Sequence, residues 1–136
     1  MGVPPLPQRV YKILLVEDEE FLRRVFKSRM VAQGYDVTDV ESAESALAWL
    51  GQSKPDLIVL DLYLPKMSGF DFLRHVKADP ARHDIPVLIL SGLGQEADIR
   101  KGLALGAQEY VVKTQVEPRE LMDKIRHMLA EGDKAT

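Results

Sequence analysis

Five short apolar runs recur along the chain: KILLV at 12–16, DVTDV at 36–40, LIVL at 57–60, PVLIL at 86–90 and YVV at 110–112, each followed by a stretch with helical spacing. This alternation restricts the fold more than any other feature. Strands of one direction need a crossover between them, a helix supplies it, and strands covered on both faces read as unbroken apolar runs. The expectation is an α/β protein with a parallel sheet between two helical layers. The first helix should run from about Glu19 to Gln33, with Leu22, Phe26 and Met30 on its core side and Gly34 as its stop. The second opens at Ser42 or Ser45 and passes through Leu47 and Leu50 to Gly51. The third follows Gly69 and uses Phe72, Leu73 and Val76 before the break at Asp79-Pro80. The fourth, Glu96 to Leu105, is weakened by Gly102 inside it. The fifth begins at Pro118, a good first-turn residue, and presents Leu121, Ile125 and Met128.

With 136 residues, 46% of them hydrophobic, the chain has the size and the core of one domain. Its boundaries are expected at a disordered arm over 1–10 containing Pro4, Pro5 and Pro7, a domain over 11–130 and a polar tail over 131–136. A net charge of -3 with no basic stripe argues against nucleic acid contact. The absence of cysteine excludes disulfides, thiol catalysis and thiolate metal sites. No apolar run approaches the roughly 20 residues that span a bilayer, so the expected location is the cytoplasm, away from the membrane.

In open sheets of this kind, ligands sit beyond the carboxyl ends of the strands. Here the strands end in Glu17-Asp18, Asp61, Ser91 and Lys113, so three acids, a hydroxyl and an ammonium should converge on one rim. Such acids repel one another unless a cation or proton relieves them. Magnesium suits the set, since it takes one or two carboxylates, keeps several waters and accepts phosphate oxygens. Asp18 and Asp61 would be direct ligands and Glu17 would act through water. Asp61 can then attack a phosphoryl group as a carboxylate nucleophile, with Lys113 offsetting charge on the transferring oxygens and Ser91 donating to one of them. Each residue also has an ordinary use: Asp18 as a helix cap, Asp61 as a turn opener, Ser91 as a loop cap, Lys113 as a solvated lysine. Their joint placement at successive strand ends is what favours chemistry.

The motifs that carry these residues resemble the receiver domains of two-component response regulators, over about Lys12 to Leu129. ILLVEDEE is similar to the family's first strand and acidic pair, and LDLYLPKMSG to its phosphoacceptor segment, with Pro65 and Gly69 in the places expected after Asp61. LILSG and GAQEYVVK are similar to the segments that supply the hydroxyl and the lysine. The resemblance implies a (βα)5 doubly wound sheet in the flavodoxin-like order 2-1-3-4-5, as in single-domain chemotaxis regulators. It implies Asp61 as phosphoacceptor, Mg2+ as cofactor, the backbone carbonyl of Tyr63 as a further metal ligand, and Ser91 and Tyr110 as switch residues. It implies a histidine kinase or phosphotransfer protein as donor, and a downstream protein or separate output domain as receiver of the signal. The reporting surface would be formed by the fourth helix, fifth strand and fifth helix, in a monomer or a weak homodimer. The chain would be a phosphoacceptor signalling domain, an enzyme only toward its own phosphorylation and dephosphorylation.

Some positions depart from the family pattern. Thr114 follows the lysine where proline is usual; a cis bond before Thr costs roughly 2.5 to 4 kcal/mol, so a trans bond and a rerouted loop are expected. Gly92 replaces a common alanine and should loosen its loop. Tyr63 and Leu93 are bulky where the family tunes water access, which predicts slow self-dephosphorylation. Phe21 is either a rim residue that docks a phosphodonor or part of the core. A receiver-like interaction module acting without phosphorylation is the alternative from another class. A haloacid dehalogenase phosphatase is disfavoured because Tyr63 stands where a second acid is needed. Dinucleotide binding through GLGQEA at 92–97 is disfavoured because the fingerprint belongs in the first βα unit. No GxxxxGK[ST], HExxH or GxSxG occurs.

Overall fold

The computed structural model describes residues 9–134 together with Gly2 and Leu6; Pro4, Pro5 and Pro7 of the proline arm lie outside the described residues. Five strands alternate with five helices: β1 (Lys12–Val16), α1 (Glu20–Ala32), β2 (Asp36–Val40), α2 (Ala43–Leu50), β3 (Leu57–Leu60), α3 (Gly69–Ala78), β4 (Val87–Ser91), α4 (Glu96–Ala104), β5 (Glu109–Val112) and α5 (Pro118–Lys134). All the strands are parallel, in the order β2-β1-β3-β4-β5. This is the doubly wound flavodoxin-like arrangement expected from the sequence.

Alternation along the strands sorts the core into two layers. Leu14, Val16, Ile58, Leu60, Val87 and Ile89 face one way, against Ala46, Phe72 and Leu73 of α2 and α3. Ile13, Leu15, Leu57, Val59, Leu88 and Leu90 face the other, against Met30, Leu121 and Ile125 of α1 and α5. β1, β3 and β4 therefore need apolar residues at nearly every position, and have them.

Helix ends follow local chemistry. The Ser42 hydroxyl accepts from the backbone N–H of Ser45 and that of Ser68 from Asp71, which caps α2 and α3. Gly34 ends α1 with a φ of 94°, a left-handed conformation that glycine adopts without strain. α5 departs from expectation, because it continues to Lys134 where a polar tail was foreseen from 131 onward. A clasp holds this extra turn. Arg9 donates to Asp133 at 2.9 Å and to both oxygens of Asp56 at 3.2 and 3.3 Å, while the Tyr11 hydroxyl also donates to Asp133. The Arg9 guanidinium lies 3.8 Å over the Tyr11 ring, and Leu6 packs against the α1-α5 layer. No described helix is long and apolar enough to cross a membrane.

Candidate functional site

β1 and β3 end side by side, so the acids that close them meet, and Ser91 closes the neighbouring β4. Glu17 and Asp61 are buried at 2% and 5% exposure, Ser91 is fully buried, and Asp18 is exposed to solvent. One carboxylate oxygen from each of Glu17, Asp18 and Asp61 lies within 4.8 Å of the others. Lys113 reaches across from the end of β5, placing its Nζ 2.5 Å from Glu17 Oε1 and 3.2 Å from Asp61 Oδ2. The other Asp61 oxygen, Oδ1, accepts the backbone N–H of Tyr63 at 3.2 Å. The Tyr63 ring itself points to solvent, at 76% exposure.

The electrostatics are unbalanced, since three carboxylates face one ammonium. Burial pushes the Glu17 carboxyl upward and the Asp61 charge adds to this, against the pull of Lys113 and the Glu19 N–H. Burial lowers the Lys113 ammonium, but its contacts with Glu17 and Asp61 outweigh that and raise it overall, so it stays charged. An all-oxygen donor set with surplus negative charge fits a hard divalent cation.

Besides the water-mediated metal role expected of it from the sequence, Glu17 is the nearer partner of Lys113. Ser91 Oγ accepts the Leu93 N–H at 3.2 Å, and the Tyr110 hydroxyl donates to the Leu93 carbonyl at 2.5 Å, so both residues grip the loop between β4 and α4. No cis peptide occurs among the described residues, and Lys113–Gln115 form a single 3-10 turn. Lys113 thus reaches both acids without the proline. Phe21 is 72% exposed and stands outside the core.

Two residues support the site: Arg23, which the sequence did not point to, and Gly69, expected from the motif but without its steric reason. Arg23 donates to the carbonyls of Glu17 at 3.0 Å and Asp18 at 3.4 Å while pairing with Asp39, and so steadies the acid-bearing loop. Its sequence signal is weak, because an arginine at this place on α1 also suits a solvated face. Gly69 is buried where a Cβ would come within 2.5 Å of the Asp61 carbonyl oxygen and of Leu62 Cα. Only glycine lets α3 start so close to the strand end. An open cleft of about 980 Å³ runs from Asp18, Asp61 and Lys113 to Leu22 and Phe26 on α1 and Val116 before α5.

The family described as response regulator receiver domain matches residues 13–126. Among curated proteins, "Probable transcriptional regulator ycf27" of Porphyra purpurea is 37% identical over 125 residues, covering 92% of this chain and 50% of that protein. The phosphate regulon transcriptional regulatory protein PhoB of Escherichia coli (strain K12) is 36% identical over 118 residues, covering 87% and 51%. The chain thus spans about half the length of these relatives. Among solved structures, a CheY-like receiver domain protein from Methanospirillum hungatei JF-1 superposes with a TM-score of 0.87 at 26% identity, covering 94% of this chain and all of that one. Chemotaxis response regulator CheY4 of Vibrio cholerae superposes with a TM-score of 0.81 at 26% identity, covering 88% and 99%. By its strand order, its clustered acids and this match across most of its length, the chain belongs to the response regulator receiver domain family.

Proposed function

We propose that this receiver domain accepts a phosphoryl group on Asp61 and reports it through the surface formed by α4, β5 and α5. The observation that carries the reading is the setting of Asp61: a carboxylate at the tip of a buried strand, beside two further acids, at the mouth of the cleft. An Asp61 oxygen attacks phosphorus while the bond from phosphorus to the donor nitrogen of a phosphohistidine breaks, and the leaving imidazole takes its proton from water. Lys113 offsets the charge on the transferring oxygens and Ser91 donates its hydroxyl hydrogen to one of them. Asp18 and Asp61, with Glu17 through water and the Tyr63 carbonyl, are the groups that would hold Mg2+. When bound, the ion neutralises the surplus carboxylate charge and orients phosphate oxygens.

The phosphoryl group then brings new acceptor oxygens to a loop already held by Ser91 and Tyr110, which biases that loop and the α4 face behind it. Tyr63 and Leu93 both line the cleft, which supports slow loss of the phosphoryl group to water. A histidine kinase or phosphotransfer protein is the donor, and an output domain or a separate protein receives the signal.

Intact mass after incubation with acetyl phosphate tests this directly. The expected result is a single Mg2+-dependent, base-labile phosphoryl adduct in the wild type and none in Asp61→Asn. Failure of the wild type to take up phosphoryl from acetyl phosphate and from a phosphorylated histidine donor would overturn it.

A further inference from the structure

Glycine within a helix costs roughly 1 kcal/mol relative to alanine, so Gly102, in the last turn of α4, needs a reason. Its surroundings supply one. Gly102 is buried, and a Cβ built on it would lie 2.6 Å from Ile89 Cδ1 and 3.1 and 3.3 Å from Cδ2 and Cε2 of the Tyr110 ring. The missing side chain leaves a slot on the inner face of α4, and the Tyr110 ring lies against it. From there the Tyr110 hydroxyl reaches the Leu93 carbonyl at 2.5 Å, and the Leu93 N–H in turn bonds Ser91 at 3.2 Å. One helix position thus touches the ring whose hydroxyl holds this loop.

We infer that Gly102 is the positioning residue for Tyr110: it forms the seat that holds the ring against α4, with the hydroxyl on the Leu93 carbonyl and, through that loop, the Leu93 N–H on Ser91. The inference rests on the reading of Asp61 as phosphoacceptor for its kinetic consequence, but the seat exists in the unphosphorylated protein and can be observed there. A methyl group at 102 has two neighbours to displace. Ile89→Val removes Cδ1 and clears the first, leaving the Tyr110 ring as the neighbour still crowded.

The test compares wild type, Gly102→Ala, Ile89→Val and the double variant, each carrying 3-fluorotyrosine and with the Tyr110 resonance assigned through Tyr110→Phe. The expected result is a displaced Tyr110 fluorine resonance in Gly102→Ala and in the double variant, with Ile89→Val close to wild type. Phosphorylation by acetyl phosphate should slow at least about fivefold in both displaced variants through the rate constant, with little change in half-saturation. A Tyr110 resonance unmoved in the folded double variant, or a moved resonance with an unchanged rate, would overturn the inference. If the wild type takes up no phosphoryl group, the reading of Asp61 fails, while the resonance comparison still decides whether Gly102 seats the ring.

Discussion

At Asp39 two cations meet one carboxylate: Lys27 Nζ lies 2.7 Å from Oδ1 and Arg23 Nε 3.1 Å from Oδ2. Burial raises this carboxyl, but the hydrogen bond and charge of Lys27 and the hydrogen bond of Arg23 outweigh it, and the net shift is below the ordinary value of 3.8. Asp39 therefore binds a proton less readily folded than unfolded. Its contribution to stability is complete above pH 3.8 and vanishes as pH falls through the lower folded-state value. Asp39→Asn should cost about 1 kcal/mol at neutral pH, and urea unfolding along a pH series should show the gap to wild type closing below about pH 4. The same carboxylate holds the guanidinium that steadies Glu17 and Asp18, so the variant should also loosen the acid loop. At this scale, Asp18, Asp61, Ser91 and Lys113 were legible because each closes an apolar run, and strand ends are where such folds place ligands. Arg23 was not, since its partners converge only after α1 packs beside β2.

The turn from β3 into α3 shows what an element boundary demands. Gly69 opens α3 while its N–H bonds the Leu62 carbonyl at 3.0 Å, folding the helix start back onto the strand end. A side chain there would strike backbone, and backbone at a strand tip has nowhere to go. Gly69→Ala should lower stability by about 1 to 3 kcal/mol in urea denaturation and slow phosphorylation by acetyl phosphate, because the strain falls on the Asp61 carbonyl. Gly92 is the internal comparison, since nothing lies within 4 Å of a Cβ built on it. Gly92→Ala should stay within about 0.5 kcal/mol of wild type. Helix starts and stops were readable from Ser42, Gly51, Gly69 and Pro118, whose side chains or backbone preferences act locally. The continuation of α5 past 130 was hidden, because Asp133 finds partners in Arg9 and Tyr11, 124 and 122 positions away. Gly102 carried a readable signal of the same kind, a glycine in a helix that packing has to explain.

Across the whole molecule, the five-fold alternation of strand and helix was enough for a parallel sheet, since crossovers of one hand leave few ways to order its strands. The surplus negative charge at the rim is likewise a property of the assembled sheet, contributed by the ends of β1 and β3 together. A divalent ion that binds this folded rim and not the unfolded chain should stabilise the protein by mass action. The thermal midpoint should rise with Mg2+, the added stability reaching about 2.7 kcal/mol when the ion stands at 100 times its dissociation constant. Asp18→Asn and Asp61→Asn should largely remove that dependence, and a midpoint indifferent to Mg2+ in the wild type would contradict the cation site.

The clasp has a topological consequence. Arg9 and Asp133 touch at 2.9 Å, so the continuous stretch 9–134 forms a nearly closed loop whose first and last residues lie together, by the start of β1 and away from the acids at the strand ends. A short glycine-serine bridge could join those ends and the chain could be opened instead at the exposed turn after α2, reordering the sequence while leaving the strand order intact. By the same geometry, the domain is suited to insertion into a surface loop of a host protein, where both connections would enter and leave together.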